Sequence, residues 1–126
     1  MMNKHSFFRS FSFALAGILS AFKTEQNFKI HLFATIIAVV LAAALRISAA
    51  EWLWIALSVA LVLGAELMNT ALESLADRVS VEQHPLIRTA KDCAAAAVLL
   101  MAVFALVCGC VIFLPKIINF LSSYVA

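Results

Sequence analysis

Apolar residues gather in four stretches of the chain, and the first differs from the other three. Along 7–22, Phe7, Phe8, Phe11, Leu15, Ile18, Leu19 and Phe22 recur at helical spacing. At about 100° per residue they share an arc of roughly 120°, with Arg9, Phe13, Ala16 and Ser20 on the opposite side. The stretch lacks the roughly 20 consecutive apolar residues of a span. The pattern therefore predicts a helix over residues 5–22 that lies on a membrane surface, phenylalanines down.

The later runs, 30–50, 52–72 and 93–114, are long enough to cross a bilayer. Lys23-Thr24-Glu25-Gln26-Asn27-Phe28-Lys29 forms a polar joint before them. His31 stands at the mouth of the first span, and Arg46 near its far end can snorkel to the interface. Trp52 and Trp54 suit interface anchors. Residues 78–91 are polar and contain Pro85, which reads as a connecting loop with room for a helical extension before it. Pro115 is expected to end the third run, leaving a short tail. The expectation is an all-α membrane protein with a surface helix plus three transmembrane helices, forming one domain over 1–126.

Composition agrees. The chain is 65% hydrophobic and 13% charged, whereas a soluble domain averages roughly 45–50% and 25%. A chain this small cannot hide that much apolar surface in its own core, so the bilayer is the solvent. A net charge of +2 is too weak to imply a nucleic-acid partner. Cys93, Cys108 and Cys110 lie in the last run without metal-site spacing and read as small packing residues. Arg9 and serines interrupt residues 1–20, which do not read as a secretory signal. With three spans, Lys4, Arg9, Lys23, Lys29, Arg78, Arg88 and Lys91 share one side, against Arg46 and Lys116 on the other. That asymmetry predicts a cytoplasmic N-terminus and second loop.

The second run, continued as a helix to Asp77, carries polar groups where lipid should be. Relative to Glu66, Asn69 falls at about −60°, Glu73 at about −20° and Asp77 at about +20°. Counted from Trp52, Glu66 lies roughly 21 Å into a core about 30 Å thick. Ionisable groups at such depth face the bundle interior or a polar cavity. A single acid can be a structural partner for an Arg or His on a neighbouring helix. Four polar groups on one stripe argue for a site.

Glu25, Glu82, His84, Lys91 and Asp92 fall at the same membrane face and can gather around Glu73 and Asp77. Singly, Glu25 or Glu82 reads as a solvated charge. Together, carboxylates without soft ligands suit magnesium held with the help of phosphate oxygens, and a lysine beside them suits phosphate. No Walker loop or Rossmann fingerprint is present. Phe13, on the polar side of the surface helix, is an ordinary exposed aromatic or is turned toward a ligand. Ala94, Ala95, Ala96, Ala97, Ala102 and Ala105 permit close helix approach. Three thin helices enclose a nucleotide and a lipid poorly, which predicts an oligomer. A small ion- or proton-coupled transporter would use Glu66 but not Glu25, Lys91 and Asp92. A holin-like or purely structural membrane protein would use none of them.

The string Glu66-Leu67-Met68-Asn69-Thr70-Ala71-Leu72-Glu73, with Asp77 four residues on, resembles the signature of the bacterial integral-membrane diacylglycerol kinases and undecaprenol kinases. The surface-helix and joint stretch 11–31 and the loop and third-helix stretch 82–100 resemble the same family, so 11–100 is covered in register. The resemblance implies a homotrimer in the bacterial cytoplasmic membrane with active sites at subunit boundaries. It implies transfer of the ATP γ-phosphate to the primary hydroxyl of a lipid, diacylglycerol to phosphatidate or, alternatively, undecaprenol to undecaprenyl phosphate. Glu66 matches the catalytic base, and Glu25 and Glu73 match magnesium-associated carboxylates. Asn69 matches a supporting position. Phe13, Asp77, Glu82, Gln83, His84, Lys91 and Asp92, with Glu25 and Glu73, fall on the ATP side; Asn27, Phe28 and Lys29 fall near the lipid headgroup. Phe13 stands where tyrosine is frequent, and Gln83 where some members carry an aromatic. The loop Glu82-Gln83-His84-Pro85-Leu86 and the joint Phe22-Lys23-Thr24-Glu25 look more like Gram-positive members associated with undecaprenol.

Overall fold

A computed structural model describes residues 4–80 and 84–126. Among these residues the chain forms helices α1 (Lys4–Thr24), α2 (Gln26–Ala44), α3 (Ala49–Val79) and α4 (Pro85–Val125), with no strand. Helices α2, α3 and α4 are each long and apolar enough to cross a membrane. Helix α1 is the amphipathic surface helix: Phe7, Phe8 and Phe11 stay exposed, while Leu15, Ile18 and Phe22 face Leu63 and Leu67 of α3 across an apolar cleft of about 470 Å³. The protein is an all-α membrane protein with one surface helix and three spans.

One residue separates α1 from α2. Glu25 is extended (φ −107°, ψ 113°) and occupies the N-cap position of α2, yet its carboxylate does not cap. It accepts instead from Thr24 Oγ1 at 3.2 Å. Ala21 and Phe28, buried on either side of this break, pin the joint.

The α2–α3 turn is the most tightly specified piece of backbone. The Arg46 N–H donates to the Ala43 carbonyl and the Ile47 N–H to the Ala42 carbonyl, both at 3.3 Å. This is the paired closure of a Schellman helix end. Its left-handed position is filled by Arg46 at φ 52° rather than by glycine. Arg46 thus lies in the turn, not in the last turn of a span running to residue 50. Ser48 then starts α3 with a capping box: its hydroxyl accepts from the Glu51 N–H at 3.2 Å, and the Glu51 carboxylate accepts from the Ser48 N–H at 3.0 Å. Ala42 and Ile47 join Ile55, Ile112 and Phe113 in a buried cluster, with Trp52 and Ile117 packed against it. The Lys116 ammonium lies 3.3 Å from Glu51.

Two expectations about α4 are corrected. Residues 78–91 are not one loop, because Pro85 opens α4 as its first helical residue and the His84 ring caps it, Nδ1 accepting from the Leu86 N–H at 3.2 Å. Proline at this position forfeits no helical hydrogen bond, since the first N–H groups have no partner in any case. Nor does Pro115 end the helix, which continues to Val125. Proline removes one N–H and disturbs one turn. Here the turn after it is held by the Lys116–Glu51 pair and by Ile117, packed against the cluster. At 1.5 Å per residue α4 is roughly 60 Å long, about twice the hydrocarbon thickness, so it projects beyond the bilayer.

Candidate active site

The face of α3 that buries Ile55, Ser58 and Val62 continues to Glu66 and later to Ala76. Glu66 therefore occupies a helix position that packing assigns to an apolar side chain, and it is only 3% exposed. An ionised carboxylate there is costly unless something donates to it. It is met there by His31 of α2, whose Nε2 lies 3.3 Å from Glu66 Oε1. Pairing with an Arg or His on a neighbouring helix is the structural use open to a single intramembrane acid. The structure selects the partner and keeps the rest of the stripe as well.

Along the stripe, the Asn69 amide Nδ2 donates to Glu73 Oε1 at 3.4 Å. Asn69 Oδ1 is buried with no hydrogen-bond partner among the described residues. The Thr70 hydroxyl turns back to the Glu66 carbonyl at 2.9 Å, so it does not compete for the carboxylate. Glu25 at the start of α2 and Glu73, two turns beyond Glu66 on α3, are both half-buried. At the exposed end Asp77 pairs with Lys91 across the α3–α4 junction. The structure thus brings His31 to Glu66 and Asn69 to Glu73, with Asp77 and Lys91 paired on the rim.

The remaining candidates are more scattered. Asp92 is exposed beside Lys91, and His84 is exposed and occupied in capping α4. Glu82 and Gln83 lie outside the described residues. Phe13 is 68% exposed on the outer side of α1. Asn27 and Lys29 are exposed at the joint, Lys29 with its ammonium 5.6 Å from the Phe22 ring centre. Phe28, between them, is 2% exposed and packs inside the joint.

Sequence reasoning placed His31 at a span's mouth but gave it no role, because nothing along the chain says which α2 residue crosses from Glu66. Ser58 was missed too; its hydroxyl is buried without a partner among the described residues and lines a cleft of about 280 Å³ between α2, α3 and α4. Ala102 and Ala105 of α4 line that cleft, while Ala95, Ala96 and Ala97 are exposed. Among the described residues no group of three or more His, Cys, Asp or Glu side chains converges closely enough to hold a metal alone.

The protein is thus a multi-span membrane protein with a buried acid within one span, further carboxylates toward one membrane face and a lysine at the rim. The profile of the prokaryotic diacylglycerol kinase family matches residues 12–113, and the chain belongs to that family. It is 42% identical over 111 residues to a diacylglycerol kinase of Synechocystis sp., covering 87% of this chain and 63% of that protein. It is 39% identical over 111 residues to the undecaprenol kinase of Bacillus subtilis, covering 88% of this chain and 90% of that protein. Identity to the diacylglycerol kinase of Escherichia coli is 34% over 96 residues, 76% of this chain and 79% of that one. Membership in this family and the three apolar helices make the chain a multi-pass protein of the bacterial inner membrane.

Proposed function

We propose that the chain is an ATP-dependent lipid kinase that phosphorylates the primary hydroxyl of diacylglycerol to give phosphatidate. The observation that carries this reading is Glu66, 3% exposed within a spanning helix and continuous with Asn69 and Glu73 toward the membrane surface. The lipid oxygen forms a bond to the γ-phosphorus, the bond from that phosphorus to the β–γ bridging oxygen breaks, and ADP leaves. The hydroxyl proton passes to a carboxylate oxygen of Glu66 acting as general base. A lipid hydroxyl lies just below the headgroup plane, and by the count along the span Glu66 lies toward that same face of the core. Phosphoryl transfer asks mainly for positioning and charge complementarity, so a small bundle suffices.

Glu25 and Glu73 offer hard oxygen donors, and Asn69 Oδ1, without a partner among the described residues, adds a neutral one. That set fits magnesium, which accepts few protein carboxylates and keeps water and phosphate oxygens. When bound, the ion would offset phosphate charge. Lys91 offers a second positive charge and orders Asp77. Phe13, Glu82, Gln83, His84 and Asp92 complete the nucleotide side, and Asn27 and Lys29 the headgroup side. The N-terminal segment and the α3–α4 connection face the cytoplasm, where seven of the nine basic residues fall. A homotrimer would close the site, since the outer face of α1, including Phe13, is uncovered in a single chain.

Undecaprenol is the second reading, favoured by a match along 90% of the Bacillus subtilis undecaprenol kinase. Purified protein in phospholipid vesicles, with magnesium and γ-labelled ATP, is given diacylglycerol or undecaprenol in parallel. Label in phosphatidate is the expected result. Label in undecaprenyl phosphate alone establishes the second reading. Label in neither lipid overturns the kinase assignment.

A further inference from the structure

We infer that His31 is a positioning residue for the base: its Nε2–H donates to one oxygen of the Glu66 carboxylate and leaves the other oxygen for the lipid hydroxyl. The inference rests on the reading of Glu66 as the general base. Its geometric basis is the 3.3 Å approach of His31 Nε2 to Glu66 Oε1 between two different helices. An ionised carboxylate can only accept, so the imidazole nitrogen must be the donor.

The groups around Glu66 leave this task to no other described side chain. Glu25, at the start of α2, and Glu73, further along α3, are acids themselves and as carboxylates offer no donor. The Asn69 amide is directed to Glu73, and the Thr70 hydroxyl to the Glu66 backbone carbonyl. Without His31, Glu66 would be a buried carboxylate with no donor among the described side chains, free to rotate or turn away. A carboxylate held by one oxygen presents the other in a single direction, and small misplacements of a reacting group cost rate steeply. The hold extends into the fold. The Thr35 hydroxyl donates to the His31 carbonyl at 2.8 Å, and both residues line the cleft between α2, α3 and α4. The His31 side chain remains 25% exposed, so small molecules can reach its place.

His31→Ala, His31→Gln and Glu66→Gln are compared with the parent in vesicles, with ATP and lipid titrated separately. Loss of a charge-assisted hydrogen bond predicts a fall in kcat of roughly 10- to 100-fold for His31→Ala. KM for ATP and for lipid should stay within about twofold, because His31 acts through Glu66. His31→Gln, which keeps an N–H donor, should recover much of the loss, and added imidazole should raise the rate of His31→Ala but not of Glu66→Gln. A His31→Ala enzyme within about twofold of the parent overturns the inference. So does a loss confined to KM, or a folded His31→Gln enzyme as impaired as His31→Ala with no imidazole effect. If His31→Ala fails to fold, His31→Gln decides: near-parent kcat upholds the inference, and a fall as large as that predicted for the alanine variant overturns it. Near-normal turnover by Glu66→Gln would instead remove the base assignment, whatever His31 does.

Discussion

The two ends of the helix bundle are built on opposite terms. At the α2–α3 turn every device favours one closed arrangement: a Schellman end, a capping box, the Lys116–Glu51 pair and the Ala42, Ile47, Ile55, Ile112, Phe113 cluster. At the other end, burial gives way to polar groups that are only partly satisfied: Glu66 beside a single imidazole, Asn69 Oδ1 with no partner among the described residues, and Glu25 at an N-cap position that its carboxylate does not serve. The closed end fixes the relative rotation of α2, α3 and α4. Because helices are stiff, that rotation is transmitted to the open end, and it decides that His31 meets Glu66. One end holds the geometry, and the other keeps unspent donors and acceptors for ligands.

Four substitutions test this division. Glu66→Gln keeps shape and removes the base, so kcat should fall by roughly 10²–10⁴-fold. Phosphatidate formation measures it, and thermal stability should not drop alongside. Ile55→Ala, at a position 4% exposed in the closed end, should destabilise by about 2–5 kcal/mol. Unfolding in detergent measures that loss, and the protein still folded should retain parent kcat; an unaltered midpoint with reduced kcat would reverse the roles of the two ends. Glu73→Gln should chiefly raise the magnesium concentration needed for half-maximal activity, since one hard oxygen donor loses its charge. An unchanged magnesium titration counts against that role. The smallest effect is a gain. Arg46→Gly relieves a left-handed residue with a side chain and should add about 0.5–1 kcal/mol, visible as a higher unfolding midpoint with activity unchanged.

Much of this was legible along the chain. The phenylalanine arc of 7–22 became α1, and the three runs became α2, α3 and α4, because helical periodicity and span length are local properties. The stripe Glu66, Asn69, Glu73 and Asp77 was legible for the same reason, since residues on one helix have fixed relative angles. The prolines were not. Pro85 and Pro115 were read as marks of non-helix, yet one begins α4 and the other lies inside it. A proline's effect depends on which carbonyls lack donors and what holds the next turn, and Lys116 and Ile117 are held by residues far away in sequence. Phe28 shows the same limit. It sits between exposed Asn27 and Lys29, and only the fold of α1 against α2 and α3 turns it inward.

By itself, then, the sequence determined the membrane as solvent, the surface helix, the three spans and the row of acids on the second span. Each follows from composition and from angles within a single helix. The tertiary structure decided how the helices are rotated against one another, and with that the identity of the group facing Glu66. The physical reason is that a buried carboxylate is defined by its donor, and the donor comes from a helix whose rotation is set by packing at the opposite end of the bundle.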